Sequence, residues 1–312
     1  LQISPVALHH QIVDAADMGR LARLLTQRGV GLVLSGGGAR GFAHLGVIRA
    51  LREARVPIDF VGGSSIGSII AAGVAVGWSD EEMRMRYRRC FVDTNPVNDY
   101  ALPFVALTRG RKVSRLLLRE YGDVSIEDLR QPFFCVSANL TTGRALEHRH
   151  GRLTEALRAS VAIPGVMPPV YRGEDVLVDG AAINNLPVDL MQAHAPGLVI
   201  GSDVGADRFA FGRGRRGINI FQILMRAGMI NNASCAEAQR QVAHVLLKPP
   251  LENVDLLNWR AFDRAIQAGY DYARAAIEAL PSMPCLPAAG GRARSSLVAE
   301  MQRRLAATGS VS

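Results

Sequence analysis

The sequence predicts a three-layer α/β domain, with a central, mostly parallel sheet and helices packed on both faces. Three observations carry that prediction. Apolar runs too short for helices recur along the chain and alternate with longer segments of helical period, as buried strands and their connecting helices do. The 312 residues are 48% hydrophobic and 21% charged, enough for one sizeable core and unlike a disordered chain. The stretch from Val30 to Gly62 has the length and pattern of a single βαβ unit. No internal repeat is visible.

Residues 1–29 read as an N-terminal arm and a lead-in helix over 14–28, with Met18, Leu21, Leu24 and Leu25 on its apolar side. Val30–Leu34 is a fully apolar strand. Glycines follow, then a helix over Gly41–Ala54; Pro57 closes the connection, and Ile58–Gly62 is the second strand. Phe60–Ser79 carries no charge and is long enough to span a bilayer. The turn-like Gly62-Gly63-Ser64 near its start instead favours a buried strand, a sharp turn and a buried helix. Ser79 and Glu82 form a capping box for the next helix. Arg111–Glu120 is a basic helix, Phe133–Leu140 a strand, and Thr141-Thr142-Gly143 turns it into Arg144–His148. Val176–Val178 is a short strand, and Pro187 suits the first position of a helix. Leu198–Asp203 and His244–Leu247 are further strands, and Phe262–Leu280 is a helix. The main domain therefore covers 30–280. Residues 281–312 form a flexible tail, rich in Pro, Gly, Ala and Arg at its start, with a short helix to Ala306.

The formal net charge is +8 and is carried by arginine, since only Lys112 and Lys248 are lysines. Two readings stay open: an affinity for phosphates of lipid headgroups or nucleic acid, or a genome with arginine-favouring codons. Cys90, Cys135, Cys235 and Cys285 are widely spaced and form no C-x-x-C pair, which speaks against a zinc site or a disulfide scaffold and for inert thiols in a reducing compartment. No cluster of His, Cys, Asp and Glu has metal-ligand spacing, so neither metal nor cofactor is expected. No secretory signal opens these residues. A start at Leu1 in place of Met leads to the expectation of a longer parent chain.

Two glycine-bearing turns carry the chemistry. Gly63-Ser64-Ser65-Ile66-Gly67 fits G-x-S-x-G where a strand ends and a helix begins, the context in which that pattern exposes a nucleophilic serine. Gly63 and Gly67 let strand and helix approach closely, and the helix N-terminus favours developing negative charge. Gly36-Gly37-Gly38-Ala39-Arg40-Gly41 follows the first strand, and its uncovered backbone N–H groups suit an oxyanion. The same residues fit the dinucleotide pattern G-x-G-x-x-G, which needs an acidic residue at the end of the second strand. That strand ends in Gly62-Gly63, with Asp59 at its other end, and no Lys follows Gly41 as a phosphate loop requires. A nucleotide-binding module is thus the weaker alternative. Asp179-Gly180-Ala181 follows a strand and can reach toward a catalytic turn; an ordinary turn aspartate fits the same residues. Asn184 and Asn185 are placed to shape the same loop. None of His9, His10, His44, His148, His150, His194 and His244 has a compelling position for a base; His44, one turn into the helix after the glycines, is the best placed.

With these motifs in this order and spacing, the sequence resembles the patatin-like phospholipases, and within them the catalytic domain of the neuropathy target esterase (lysophospholipase) group. Arg20-Leu21-Ala22-Arg23, Asn184-Asn185-Leu186-Pro187 and Lys248-Pro249-Pro250 add to the likeness, which covers roughly residues 15–280. The resemblance implies a patatin-like hydrolase domain over 30–280 with a Ser–Asp dyad. Ser65 is its nucleophile and Asp179 its base; Gly36, Gly37 and Gly38 form the oxyanion hole. Ala39, Arg40, Gly41, Gly63, Gly67, Gly180 and Ala181 support those motifs. Ser35 and Ala181 stand where the close group often has glycine. The implied substrate is a phospholipid or lysophospholipid, not nucleic acid. The implied setting is intracellular, cytoplasmic or peripheral at the cytoplasmic membrane face, with a cyclic-nucleotide-binding domain upstream in the parent chain. Arg213, Arg215 and Arg216, followed by Ile218, Phe221, Leu224 and Met225 at helical spacing, suit an interfacial segment or a solvated loop leading into a core helix. A catalytically silent lipid-binding or scaffold protein on the same fold is the remaining alternative.

Overall fold

The computed structural model describes residues 10–100, 106–194, 196–205 and 240–279. The basic-then-apolar segment at 213–225, Cys235, Cys285 and the C-terminal tail lie outside the described residues.

Strand β1 (Gly29–Leu34) shows how an unbroken apolar run builds two cores at once. Val30, Leu32 and Leu34 enter one cluster and Val33 the other, because successive side chains point to opposite faces. In β3 (Phe133–Asn139), Phe133 and Cys135 join the first cluster, while Phe134 and Val136 join the second. The larger core is closed by α2 (Ala43–Glu53), α3 (Ile66–Val76), α4 (Asp80–Tyr87), α5 (Arg111–Tyr121), α6 (Leu153–Ser160) and α8 (Phe262–Glu278). The smaller one lies under α1 (Ala15–Leu25) and α7 (Val188–Ala193), through Leu24, Val188 and Met191. The three-layer architecture is therefore present.

Among the described residues the sheet has eight strands in the order β5-β6-β3-β2-β1-β7-β8, with β4 paired to β3. Here β2 is Phe60–Ser64, β4 Arg144–His148, β5 Val170–Arg172, β6 Asp175–Asp179, β7 Gly197–Ser202 and β8 Val245–Leu247. The pairs β1–β2, β1–β7, β2–β3 and β7–β8 are parallel; β3–β4, β3–β6 and β5–β6 are antiparallel. The registers on β3 position the site. Along one edge, Phe133–Val136 pair with Val61–Ser64 of β2, and then Ser137–Asn139 pair with Asp179–Leu177 of β6. Strand β4 takes the other edge, opposite Cys135–Asn139. β2 and β6 thus lie end to end against one strand. Their tips, Ser64 and Asp179, face the consecutive residues Val136 and Ser137.

Several elements differ from the sequence expectation. The inner face of α1 consists of Asp17 and Arg20 with half-buried Leu21 and Leu24, whereas Met18 and Leu25 are 53% and 76% exposed. Asp17 and Arg20 are buried because they pair at 2.7 Å, and Arg20 Nη2 donates to Arg130 O at 2.7 Å. Strand β2 runs two residues past Gly62, since β1 and β3 supply pairing partners as far as Gly63 and Ser64. The helix expected from Gly41 opens as a tight 3₁₀ segment, Gly38–Phe42, before α2. Pro187 stands just before α7 rather than inside it. The uncharged stretch from Phe60 is a strand, a turn and the helix α3; among the described residues no helix is long and apolar enough to cross a membrane. The Ser79–Glu82 capping box forms as expected.

Candidate active site

Ser65 sits between β2 and α3 with φ 54° and ψ −128°, a conformation that costs a non-glycine residue about 1–3 kcal/mol. The neighbours hold it there. A Cβ on Gly67 would lie 2.3 Å from Leu34 O, and one on Gly63 would lie 2.7 Å from the same oxygen, so only glycines allow α3 to leave β2 this close to β1. Ser68 N and Oγ both donate to Ser65 O, at 2.9 and 2.6 Å. Ser65 N donates to Ser160 Oγ at 3.1 Å. Ser160, fully buried at the end of α6, carries no motif, and sequence reasoning missed it together with its helix. Ser160→Ala leaves the Ser65 N–H buried without an acceptor, an omission worth about 1–3 kcal/mol. Urea unfolding of the variant is expected to show that loss; an unchanged midpoint would remove the role.

Ser65 Oγ donates to Asp179 Oδ2 at 2.6 Å. The other carboxylate oxygen, Oδ1, accepts Ala181 N at 2.9 Å, which fixes the plane of the group. Gly180 is required there, because a Cβ would lie 2.3 Å from Val136 O and 2.6 Å from Ser64 Oγ. Burial pushes the Asp179 carboxyl up to about 6, against the lowering effect of the Ser65 and Ala181 hydrogen bonds. Ser64 is wholly buried whereas Ser65 is 9% exposed, so of the two serines only Ser65 opens to the outside.

The glycine turn lies beside Ser65. Gly36 N donates to Asn185 O at 3.2 Å, and Asn185 Nδ2 returns a bond to Gly36 O at 3.2 Å. Gly37 and Gly38 line a cavity with Ser65 and Asp179, and their N–H groups have no acceptor among the described residues. Gly38 has φ +55°, and a Cβ there would lie 2.2 Å from Leu256 O. Ala39 N donates to that same carbonyl at 2.8 Å. Arg40 Nε donates to Val254 O at 2.7 Å, tying the turn to the segment before α8.

No histidine is among the described residues that line this cavity. His44 is fully buried, with Nε2 2.9 Å from Ser35 O and Nδ1 2.8 Å from Ser202 Oγ. The first contact makes Nε2 the protonated nitrogen and leaves Nδ1 to accept from the serine. Burial lowers its pKa to about 4. His44 therefore braces the end of β1 as a neutral ring. His148 is buried in β4 with Nε2 2.8 Å from Ser137 Oγ. Asp59, at the start of β2, is held by Arg23 Nη2 at 2.7 Å and by Val30 N at 3.0 Å. Among the described residues no group of three or more His, Cys, Asp or Glu could hold a metal ion.

The fold and this junction define a class: a three-layer α/β protein with a strained serine turn at one strand end and a buried carboxylate at the tip of another. The chain belongs to the patatin-like phospholipase family, whose model matches residues 32–191. An uncharacterized NTE family protein of Mycobacterium tuberculosis is 36% identical over 305 residues, which cover 90% of this chain and 52% of that protein. A lysophospholipase of Candida glabrata is 31% identical, over 87% of this chain and 17% of its own length. Patatin-like phospholipase domain-containing protein 6 of Homo sapiens is 34% identical, over 83% of this chain and 21% of its own length. The chain spans about half the length of the mycobacterial relative and about a fifth of the other two.

Proposed function

We propose that this chain hydrolyses an acyl ester of a phospholipid or lysophospholipid, with Ser65 as nucleophile and Asp179 as its base. The observation that carries the reading is the 2.6 Å bond from Ser65 Oγ to Asp179 Oδ2, made where a largely apolar cavity meets the glycine turn. Asp179 takes the hydroxyl proton as Oγ attacks the acyl carbonyl carbon. The oxyanion accepts from Gly37 and Gly38, since the Gly36 N–H is engaged by Asn185 O. Collapse breaks the ester bond, and Asp179 returns the proton to the departing alcohol. Water then attacks the acyl-enzyme, gives its proton to Asp179, and the fatty acid leaves as Ser65 Oγ recovers a proton. Every proton donor and acceptor in this sequence is a protein group, the substrate or water. A substrate of this kind packs in a bilayer or micelle, so the reading includes peripheral contact with a lipid surface.

A fluorophosphonate probe tests the assignment. The adduct is expected on Ser65 and absent from Ser65→Ala, with the melting temperature kept as a folding control. An adduct on Ser64, or a folded Ser65→Ala protein that still turns over ester, overturns it.

A further inference from the structure

The cavity that begins at Ser65 does not stay apolar to its end. Its apolar lining includes Ile66, Ile69, Phe91, Val113 and Met167. The same lining includes the polar groups Tyr87, Cys90, Glu120 and Tyr121. The hydroxyls of Tyr87 and Tyr121 both contact Ile69 O, at 2.9 and 2.6 Å. A Cβ on Gly73 would lie 2.3 Å from the Tyr87 hydroxyl, so that ring reaches one further turn down the helix. At ~1.5 Å of rise per residue, Ile69 and Gly73 lie about 6 and 12 Å along α3 from Ser65. The Tyr87 and Tyr121 hydroxyls therefore lie toward the C-terminal half of α3, away from the serine at its N-terminus.

Glu120 lies on the same side: Arg86, which donates to it, sits 4.6 Å over the ring of Trp78 just past the C-terminus of α3, and Trp78 stacks on Tyr121 at 4.9 Å. The Glu120 side chain is 3% exposed, yet the arginines that hold it, Arg86, Arg89 and Arg119, are 28%, 49% and 47% exposed. Arg89 Nη2 donates to both carboxylate oxygens at 2.9 and 2.8 Å, Arg119 Nε to Oε1 at 2.8 Å, and Arg86 Nη1 to Oε2 at 3.2 Å. Cys90 Sγ donates to Oε1 at 3.4 Å from the π-helix Arg88–Asp93. Burial pushes the Glu120 carboxyl up, and the hydrogen bonds of Arg89 and Arg119 more than offset that, so the group stays ionised. An aliphatic floor would yield to a methyl end by changing rotamer. A carboxylate locked by three guanidinium groups cannot, because displacing it would leave a buried charge without its partners.

We propose that Glu120, fixed by Arg86, Arg89 and Arg119 and flanked by Cys90 and Tyr121, is the end stop of the acyl cavity and sets the longest acyl chain accepted. The inference rests on the esterase reading above, and its test separates the two. It uses kcat/KM for p-nitrophenyl esters from butyrate to palmitate, below their micelle concentrations, in wild type, Glu120→Ala and Cys90→Phe. The wild-type profile is expected to break at one chain length, each further methylene costing about tenfold or more, as in other closed apolar pockets. Glu120→Ala moves the break to longer chains and Cys90→Phe to shorter ones. Folded variants that keep the wild-type profile overturn the proposal. A second arm needs no turnover: fatty acids of the same lengths are titrated onto Ser65→Ala, with the melting temperature as readout. The stabilisation is expected to rise with length up to the break and then level off; a steady rise through palmitate overturns the stop. An absence of Ser65-dependent turnover on every ester would sink the esterase reading instead, and this titration would still decide the stop.

Discussion

Asp179→Asn is expected to lower kcat on a short-chain ester by about 100- to 10,000-fold and, at the same time, to make the protein more stable at neutral pH. Asparagine keeps the shape and can still accept Ala181 N through its carbonyl oxygen, but an NH₂ then meets Ser65 Oγ where the basic oxygen Oδ2 stood. The stability effect follows from the raised carboxyl. Its pKa moves from 3.8 to about 6 in the fold, so the native state binds this proton more tightly than the unfolded chain does. Stability from this group is therefore present below about pH 4 and is lost as pH rises toward 6. A shift of about two units, at ~1.36 kcal/mol each, amounts to about 3 kcal/mol. Melting at pH 7.5 should favour the asparagine variant, with the advantage gone at pH 4. The wild-type kcat/KM should fall on the acid side with an apparent pKa near 6. His44→Gln, which can retain a bond to Ser35 O, should cost far less turnover. Near-normal activity in Asp179→Asn, together with a dead but folded His44→Gln, would replace the dyad with a histidine mechanism.

Gly67→Ala should damage both the packing and the site. Its Cβ would stand 2.3 Å from Leu34 O and 2.6 Å from Ser35 O, both backbone atoms that cannot rotate away. Overpacking of this kind costs about 1–3 kcal/mol. Relief requires α3 to lift from the sheet, which carries Ser65 away from Asp179 and from Gly37. A displacement of ~1 Å at reacting groups is worth about 100-fold in rate. The variant should lose both stability and turnover, whereas alanine at Gly143, where a Cβ meets nothing within 4 Å, leaves turnover intact and feels only its φ of +68°. Equal stability and turnover in the two variants would refute the packing argument.

The strands of the inner sheet were legible because each is an apolar run bounded by glycine, proline or a turn, and burial on both faces needs nothing more. What failed did so for identifiable reasons. The inner face of α1 could not be read from hydrophobicity, because Asp17 and Arg20 enter the interior as an ion pair whose further partner, Arg130, is distant in sequence. Strand β5 has only three residues and gains its identity from β6 across the turn at Gly173. The end of β2 looked like a turn, since Gly63 and Ser64 are turn residues until neighbouring strands pair with them. Of the site, Ser65 and the glycine turn were visible because both ride on local backbone requirements. Asp179 needed the family likeness, since nothing around an Asp-Gly pair indicates which strand it will face. Ser160 and Glu120 had no signal at all: one lies in a helix whose period was not recognised, the other on a helix that reads as plainly basic.

The end-to-end seating of β2 and β6 on β3 bears on which insertions and deletions this chain tolerates. The separation of Ser65 from Asp179 is set by the step from Val136 to Ser137, in a strand that supplies neither group. One residue added at that step would part the two tips by about 3.3 Å and turn every later side chain of β3 to the opposite face. The hairpin at Leu140–Gly143 lies beyond both contacts, and the long connection from α3 to β3 enters before them. Length changes in those segments leave the spacing untouched. Lineages descended from this sequence should therefore vary freely in how they reach β3 and hardly at all in how many residues it contains.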